Sequence, residues 1–221
     1  MKYLIAILFL FSFWGIGYNT SSGYLDYNFS NEGQKNQFWC YAAVTQLVFD
    51  YYGIPKSQIK IIEELNNVED CATYADCKDH ADSSLCNSML SRDSLESWRV
   101  YINANTGVNY QEQTFEIDAI KDAINQKRGP VIVRLFQNPL YHAVIINGYF
   151  EKKAKAITKW FKDDVVFFSV VNPGGNLFTC TNCKYVLKYN TKNNYFESLT
   201  GNSYYKVATG IPILVPTLNR P

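Results

Sequence analysis

The alternation of apolar and polar positions predicts helices in the first half of the chain. From Cys40 to Tyr52 the apolar residues recur at helical spacing, and Gly53 followed by Pro55 ends the run. The apolar positions of this predicted helix are Ala43, Leu47, Val48 and Tyr51. The same criterion predicts further helices over residues 56–66, 94–104 and 117–126.

After Pro130 the pattern becomes typical of strands. Four segments are rich in β-branched and aromatic residues and are bounded by Gly, Pro or Asn: residues 131–136, 142–150, 165–171 and 185–189. Helices followed by strands, with no linker or repeat between them, indicate an α+β fold rather than alternating βαβ units. We therefore expect one domain, in which a helical lobe over about residues 34–128 packs on an antiparallel β-sheet lobe over about residues 129–215.

The first residues predict export. Lys2 precedes an apolar run from Leu4 to Trp14, and Gly15-Ile16-Gly17 supplies the small residues that a signal peptidase recognises. The run is shorter than the ~20 apolar residues that span a bilayer. Residues 1–22 are therefore interpreted as a signal peptide, and residues 23–221 as a mature secreted or periplasmic protein that does not associate with the membrane.

Composition excludes several classes of function. The 221 residues are 47% hydrophobic and 16% aromatic, which is enough to build a core and excludes intrinsic disorder. The 21 Lys and Arg residues are balanced by 20 Asp and Glu residues, and Lys2 is the only charge before residue 24. Without a basic excess, neither nucleic acid nor an anionic membrane surface is an expected partner. The two histidines, His80 and His142, limit any mechanism that needs an imidazole.

Cys40 is the first candidate for chemistry. It follows Phe38 and Trp39 and opens the first predicted helix. A thiol at a helix N-terminus lies close to the positive end of the helix dipole and to unpaired N–H groups, which lower its pKa and favour the reactive thiolate. On this segment alone, a buried core cysteine or one half of a disulfide is an equally good interpretation.

His142 and Asn172 are the next candidates. His142 begins an apolar strand, where a histidine is more often a buried structural residue, whereas His80 lies in a polar loop and is expected to be solvated. Asn172 ends the next strong strand, so it reaches the imidazole if the two strands are antiparallel neighbours. A catalytic Cys–His pair needs such a third group to orient the ring. The alternative is a turn residue, because Asn172-Pro173-Gly174 is also a strong turn signal.

These segments resemble the papain-like cysteine peptidases. Gln34-x5-Cys40-Tyr-Ala-Ala, then His142-Ala-Val, then Asn172-Pro173-Gly174 follow one another in the motif order of that family. The similarity is greatest to its compact bacterial members, which include the leader-peptide peptidases of bacteriocin exporters and small secreted or effector proteases. Their motifs read Gln-x5-Cys-Trp-Ala-Ala, His-Ala-Val and Asp-Pro.

The resemblance implies a role for each residue. Cys40 is the nucleophile, His142 the general base and acid, and Asn172 the residue that orients the imidazole ring. Gln34 supplies a side-chain donor to the oxyanion hole beside the Cys40 backbone N–H, with Gln37 as the weaker alternative. A thiolate–imidazolium pair between Cys40 and His142 would make the nucleophile available near neutral pH.

The sequence departs from the family pattern in three places. Tyr41 stands where Trp is commoner, and Asn172 where the compact relatives more often carry Asp. The interval from His142 to Asn172 is also long, and residues 151–164 are interpreted as a charged insertion. We expect this insertion either to overhang the cleft or to extend away from it.

The remaining cysteines leave their pairing open. With Cys40 reduced, two disulfides among the other five leave one thiol over, and the connectivity does not follow from the sequence. We prefer one bridge within the first three and a second between the last two of the set Cys71, Cys77, Cys86, Cys180 and Cys183. Half of a zinc site at Cys180 and Cys183 is disfavoured, because no second close pair completes four ligands. No metal or cofactor is expected.

The sequence thus predicts a secreted papain-like endopeptidase that forms an acyl-thioenzyme on a peptide or protein substrate. The same triad in a cell-wall peptide hydrolase, a deamidase or a transglutaminase is the enzymatic alternative. A catalytically silent binding module on this fold is the alternative of another class, favoured if Cys40 forms a disulfide or Asn172 points away from His142. A monomer is expected, and neither the subsites nor an inhibitor partner can be predicted.

Overall fold

The structure is a computed structural model that describes residues 18–29, 33–35, 38–69, 95–137, 140–155, 164–174, 184–190, 195–198, 204–207 and 213–217. Its helices are α1 (Cys40–Tyr51), α2 (Gln58–Asn66), α3 (Leu95–Thr106) and α4 (Ile117–Asn125). All four predicted helices are therefore present, with ends shifted by two residues at most. Residues 1–17, His80 and the cysteines other than Cys40 lie outside the described residues.

The strands of the described residues form a single antiparallel sheet. They are β1 (Tyr18–Tyr24), β2 (Asn109–Gln113), β3 (Val131–Gln137), β4 (Leu140–Ala154), β5 (Val165–Val171), β6 (Lys184–Asn190), β7 (Tyr195–Ser198), β8 (Tyr204–Val207) and β9 (Ile213–Thr217). The predicted strands correspond to β3, β4, β5 and β6. The other five strands were not predicted. Some are short, and the edge strands β1 and β2 are polar and show no apolar alternation. The α+β fold class is confirmed.

Part of the sheet closes on itself. The strand order is β1-β4-β5-β6-β7-β8-β3-β9-β2, and β3 also pairs with β4, so strands β3 to β8 form a barrel. Strand β4 is the longest and pairs with β1, β3 and β5. The end of the barrel at which β4 begins is also the end at which β5 finishes, since these two strands are antiparallel.

Side chains alternate between two buried faces along the barrel strands. On β3, Val131 and Val133 join a cluster shared by the barrel strands and α4, whereas Ile132 joins a cluster shared with α1, α2 and α3. The helix α1 is central to the second cluster, because every residue from Tyr41 to Phe49 is buried. The helices thus lie in the N-terminal part of the chain and most of the sheet in the C-terminal part, as predicted, while α4 packs on the barrel and β2 pairs with β9.

The interval between His142 and Asn172 is lengthened by an extension of the β4–β5 hairpin. Strand β4 continues to Ala154, and Lys152 is still paired with Val165. Glu151 is nine residues beyond His142, which is about 30 Å along an extended strand. The described part of the predicted insertion therefore extends away from His142, and its residues 156–163 lie outside the described residues.

Candidate active site

Cys40 is the first residue of α1, the central helix of the larger helical cluster. Trp39 precedes it as the N-cap residue and is fully buried, but it makes no side-chain cap to the helix. Cys40 itself is half-buried and its thiol is free. The N-terminus of a helix is a suitable position for a nucleophilic thiol.

Opposing effects act on the Cys40 thiol. Backbone N–H groups of Ala143 and Tyr41 hydrogen-bond to the sulfur and lower its pKa, as does the positive charge of Arg134. Burial is the largest effect, and it raises the pKa of Cys40 above its ordinary value. The expectation of a lowered thiol pKa is thus not met, because the loss of solvent around the thiolate outweighs the helix N-terminus.

His142 is bound to Asn172 at the end of the barrel. The distance from His142 Nε2 to Asn172 Oδ1 is 2.6 Å, and both side chains are buried, with exposed fractions of 4% and 0%. The same Asn172 oxygen accepts the backbone N–H of Gly174 at 2.9 Å. Since that atom must be an acceptor, His142 Nε2 carries the proton, and the lone pair of the neutral ring lies on Nδ1.

Burial also controls the charge of His142. It lowers the pKa of His142 from 6.5 to about 4, and the hydrogen bond to Asn172 opposes the shift only in part. At neutral pH the imidazole is therefore neutral in the substrate-free site. Cys40 and His142 both favour the uncharged form, for the same reason.

The sheet register accounts for the meeting of His142 and Asn172. Ile145 on β4 is paired with Val171 on β5, so Asn172 follows the last paired residue of its strand. Asn172 is then diagonal to His142, within reach of a side chain on the same face. One group is left over: the Nδ2 of Asn172 is buried without a hydrogen-bond partner among the residues that the structure describes.

Gln34 lies close to the Asn172 segment. Its backbone N–H donates to the carbonyl of Pro173, the residue after Asn172, at 2.7 Å. Of the four predicted site residues, His142 and Asn172 are in direct contact. Gln34 is hydrogen-bonded to Pro173, which follows Asn172, and Cys40 contacts Ala143, which follows His142. The weaker candidate Gln37 lies outside the described residues.

Arg134 is a charged residue of the site that sequence reasoning missed. It is paired with Ala143 across β3 and β4, and paired residues share a face of the sheet. That face packs against Cys40, and Arg134 is only 7% exposed. A signal was available, because Arg134 is the only charge in the otherwise apolar segment 131–136.

The part of the chain that the structure describes contains no set of side chains that could hold a metal ion. Within those ranges no three His, Cys, Asp or Glu side chains converge on one point. The described helices also include none that is long and apolar enough to cross a bilayer.

Comparison with known proteins gives one family match. The model of the Peptidase_C39 like family matches residues 26–163, which is more than half of the chain. The matched range includes Gln34, Cys40 and His142 and ends before Asn172. No curated protein matches the chain.

Proposed function

We propose that this chain is a secreted endopeptidase that uses Cys40, His142 and Asn172. The premise is that the chain belongs to the Peptidase_C39 like family and is thus, in general type, a cysteine peptidase. One observation carries the proposal. A free thiol at the start of α1 accepts the N–H of Ala143, while the preceding residue, His142, is held by Asn172 at 2.6 Å. The chain neighbour of His142 thus contacts the thiol, which supports the assignment of Cys40 as nucleophile, His142 as base and Asn172 as orienting residue.

The first half of the reaction forms an acyl-thioenzyme. His142 Nδ1 takes the thiol proton of Cys40 as the sulfur attacks the carbonyl carbon of the scissile peptide bond. The carbonyl becomes a tetrahedral oxyanion, which the backbone N–H of Cys40 and the side-chain amide of Gln34 stabilise. When the oxyanion collapses, the carbon–nitrogen bond breaks, and His142 returns the proton to the leaving amine.

The second half releases the acyl group. His142 removes a proton from water, the resulting hydroxide attacks the thioester carbonyl, and the same donors stabilise the second oxyanion. The carbon–sulfur bond then breaks, the thiolate regains its proton from His142, and the carboxylic acid product leaves. Throughout, Asn172 Oδ1 keeps His142 Nε2 protonated, so that Nδ1 remains the basic atom.

The pKa directions favour general-base catalysis over a resting ion pair. Burial raises the pKa of Cys40 and lowers that of His142, so the neutral thiol and the neutral imidazole are the resting forms. Proton transfer then accompanies attack rather than preceding it. The alkylation rate of Cys40 should accordingly keep rising above pH 8 instead of reaching a plateau at neutral pH.

Export is part of the proposal. Strand β1 begins at Tyr18, directly after the small residues Gly15 and Gly17, and it is paired with β4 along its whole length. Cleavage after Gly17 preserves this strand, including the bond of 3.0 Å from Ser21 Oγ to Glu151. Cleavage after residue 22, the boundary expected from the sequence, would remove most of it, so the proposal moves the cleavage site to Gly17. N-terminal sequencing of the exported protein is expected to start at Tyr18.

Product analysis separates this function from its alternatives. The mature protein is incubated with a mixture of unstructured peptides, and the masses of the products are determined by mass spectrometry. An endopeptidase gives two fragments that together contain one added water, a deamidase changes a side chain without a break, and a transglutaminase incorporates an added amine. A protein that cleaves only cell-wall peptides would instead be a cell-wall peptide hydrolase.

Labelling of Cys40 tests for the catalytically silent module. Iodoacetamide should modify Cys40, and Cys40→Ala should abolish both the labelling at this position and the cleavage of peptides. A protein in which Cys40 is unreactive, or in which Cys40→Ala still cleaves peptides, contradicts the proposal.

A further inference from the structure

The loop that carries Gln34 is held by the side-chain amide of Gln58. Gln58 Oε1 accepts the backbone N–H of Lys35 at 3.0 Å, and Gln58 Nε2 donates to the carbonyl of Gly33 at 3.0 Å. These two bonds bind the residues on either side of Gln34. A segment outside helices and sheets needs such partners, because its N–H and C=O groups are costly to bury unpaired.

Gln58 is also bonded to the helix that begins with the nucleophile. Its Nε2 donates to Gln46 Oε1 at 3.0 Å, and Gln46 lies on α1. The Gln58 side chain is fully buried, and its oxygen and both Nε2 protons are used. Buried polar groups that are fully satisfied make a structure rigid and specify one arrangement. Gln58 therefore joins loop 33–35 firmly to α1.

Gln58 is not required to cap its own helix. Helix α2 begins at Gln58, but the hydroxyl of Ser57 caps it by accepting the N–H of Lys60 at 3.3 Å. The amide of Gln58 is therefore available for contacts outside α2, and all three of its bonds are made there.

The remaining backbone contact of the loop reaches the barrel side of the site. The N–H of Gln34 donates to Pro173, next to the residue that holds His142. Three consecutive residues of the loop are thus hydrogen-bonded, two of them to Gln58 and one to the residue after Asn172. A side chain on so fixed a backbone is preorganised, which is the condition under which an oxyanion donor is effective.

We infer that Gln58 is a positioning residue for the oxyanion hole: it fixes the backbone on both sides of Gln34, so that the Gln34 amide meets the developing oxyanion without rearrangement. The inference rests on the proposed function, in which Gln34 is the donor. Gln58 acts through Gln34, and its removal should affect only those reactions of Cys40 that pass through an oxyanion.

The test compares Gln58→Met, Gln34→Ala and the double variant in two reactions of Cys40. Peptide hydrolysis passes through an oxyanion, whereas alkylation by iodoacetamide displaces iodide from a saturated carbon and forms none. We expect each single variant to lower kcat by about 10- to 100-fold, with little change in KM or in the alkylation rate. Because both changes act on one donor, the double variant should lose no more than Gln34→Ala alone.

Asn103 provides a matched control. Its side-chain amide holds the backbone of Tyr110 in the same way, accepting the N–H at 2.8 Å and donating to the carbonyl at 3.1 Å. Asn103→Leu removes a comparable contact from β2, a strand with none of the proposed catalytic residues. Its kcat should equal that of the wild type.

Three results overturn the inference: equal losses in hydrolysis and alkylation, additive losses in the double variant, or the same loss in Asn103→Leu. Each would mean that Gln58 supports the fold in general. If Gln58→Met does not fold, Gln58→Asn serves instead, because its amide is too short to reach Gly33 and Lys35 together.

Hydrogen exchange separates failure of this inference from failure of the proposed function. The Lys35 amide should exchange faster in Gln58→Met than in the wild type, since it loses its acceptor. Unchanged exchange, or unchanged kcat while Gln34→Ala is slow, overturns the role of Gln58 alone. Unchanged kcat in Gln34→Ala shows instead that Gln34 is not the donor, and the proposed oxyanion hole fails together with the inference built on it.

Discussion

The two sides of the candidate active site are held in different ways. On the barrel side, His142 lies on β4 and Asn172 follows β5, and the ladder between these strands sets their separation. On the helix side, loop 33–35 belongs to no helix or strand, and its backbone is bonded to Gln58 and Pro173. The proposed base therefore takes its position from sheet register, whereas the proposed oxyanion donor depends on one buried side chain.

The two sides also differ in how the charged form of each group is supported. Burial disfavours charge on both Cys40 and His142. At Cys40 several backbone N–H groups and Arg134 act against burial, whereas at His142 the hydrogen bond to Asn172 acts against it. The barrel side should consequently be the more sensitive to a single substitution, and the following five experiments test that difference.

The largest effect is expected from loss of the base. His142→Ala should lower kcat by about 10³-fold or more, because it removes the proposed acceptor of the thiol proton. The fold should persist, as judged by circular dichroism. His80→Ala is the control and should be near neutral, since His80 is predicted to be solvated. A comparable loss in both variants would mean that the assignment of the base is wrong.

Substitution of Asn172 distinguishes orientation of the ring from simple burial. Asn172→Ala removes the acceptor of both His142 and Gly174, and kcat should fall by about 10²-fold because the ring is no longer aligned. Asn172→Asp keeps the shared acceptor oxygen and replaces the unpaired Nδ2 by a second oxygen, so its kcat should stay within about tenfold of the wild type.

The same pair of variants has a second readout in the pH profile. The carboxylate of Asn172→Asp should raise the pKa of His142 and move the acidic limb of kcat/KM upward from its expected position near pH 4. An acidic limb that is identical in the wild type and Asn172→Asp would contradict the contact between Asn172 and His142.

Burial of His142 should appear in the stability of the protein. Its pKa is about 4 when folded against 6.5 ordinarily, so the unfolded chain binds more protons between these values. Stability is then fully present above pH 6.5 and falls as the pH drops towards 4, by about 3 kcal/mol. Urea unfolding at several pH values measures this loss. In His142→Gln the loss of stability between pH 6.5 and pH 4 should be smaller than in the wild type by the same amount of about 3 kcal/mol. Equal losses in the two proteins would show that His142 is not responsible.

The smallest effect is expected from Arg134. Arg134→Met removes a positive charge that lowers the pKa of Cys40, so the alkylation rate at neutral pH should fall by about threefold to tenfold. Arg128→Met is the control, because it removes the same charge six residues before Arg134, ahead of the start of β3. If Arg128→Met slows alkylation as much, the effect belongs to the net charge and not to the site.

Much of the fold could be predicted because its signals are local. Helix α1 was predicted from the recurrence of Ala43, Leu47 and Val48, and β5 from an unbroken run of β-branched and aromatic residues. Strands such as β7 were missed because four residues contain too little periodicity to identify a strand. Closure of the barrel was missed as well, since pairing of β3 with β8 joins segments about 70 residues apart.

The site was predicted unevenly for a related reason. Gln34, Cys40, His142 and Asn172 stand in motifs, and each motif is read from a few adjacent residues. Gln58 is in no motif, because its importance depends on Gly33 and Lys35, which are more than 20 residues away. Arg134 showed a local anomaly, a charge in an apolar strand, but not that its neighbour across the ladder contacts Cys40.

The sequence by itself determined the α+β class, the order of the elements and the family, because periodicity and motif spacing are properties of neighbouring residues. Only the tertiary structure decided the electrostatic state of the site and the means by which its loop is held. The helix N-terminus predicts a lowered pKa for Cys40, yet burial by distant residues raises it. Solvent exclusion and long-range hydrogen bonds arise from residues that folding alone brings together, so a linear pattern does not contain them.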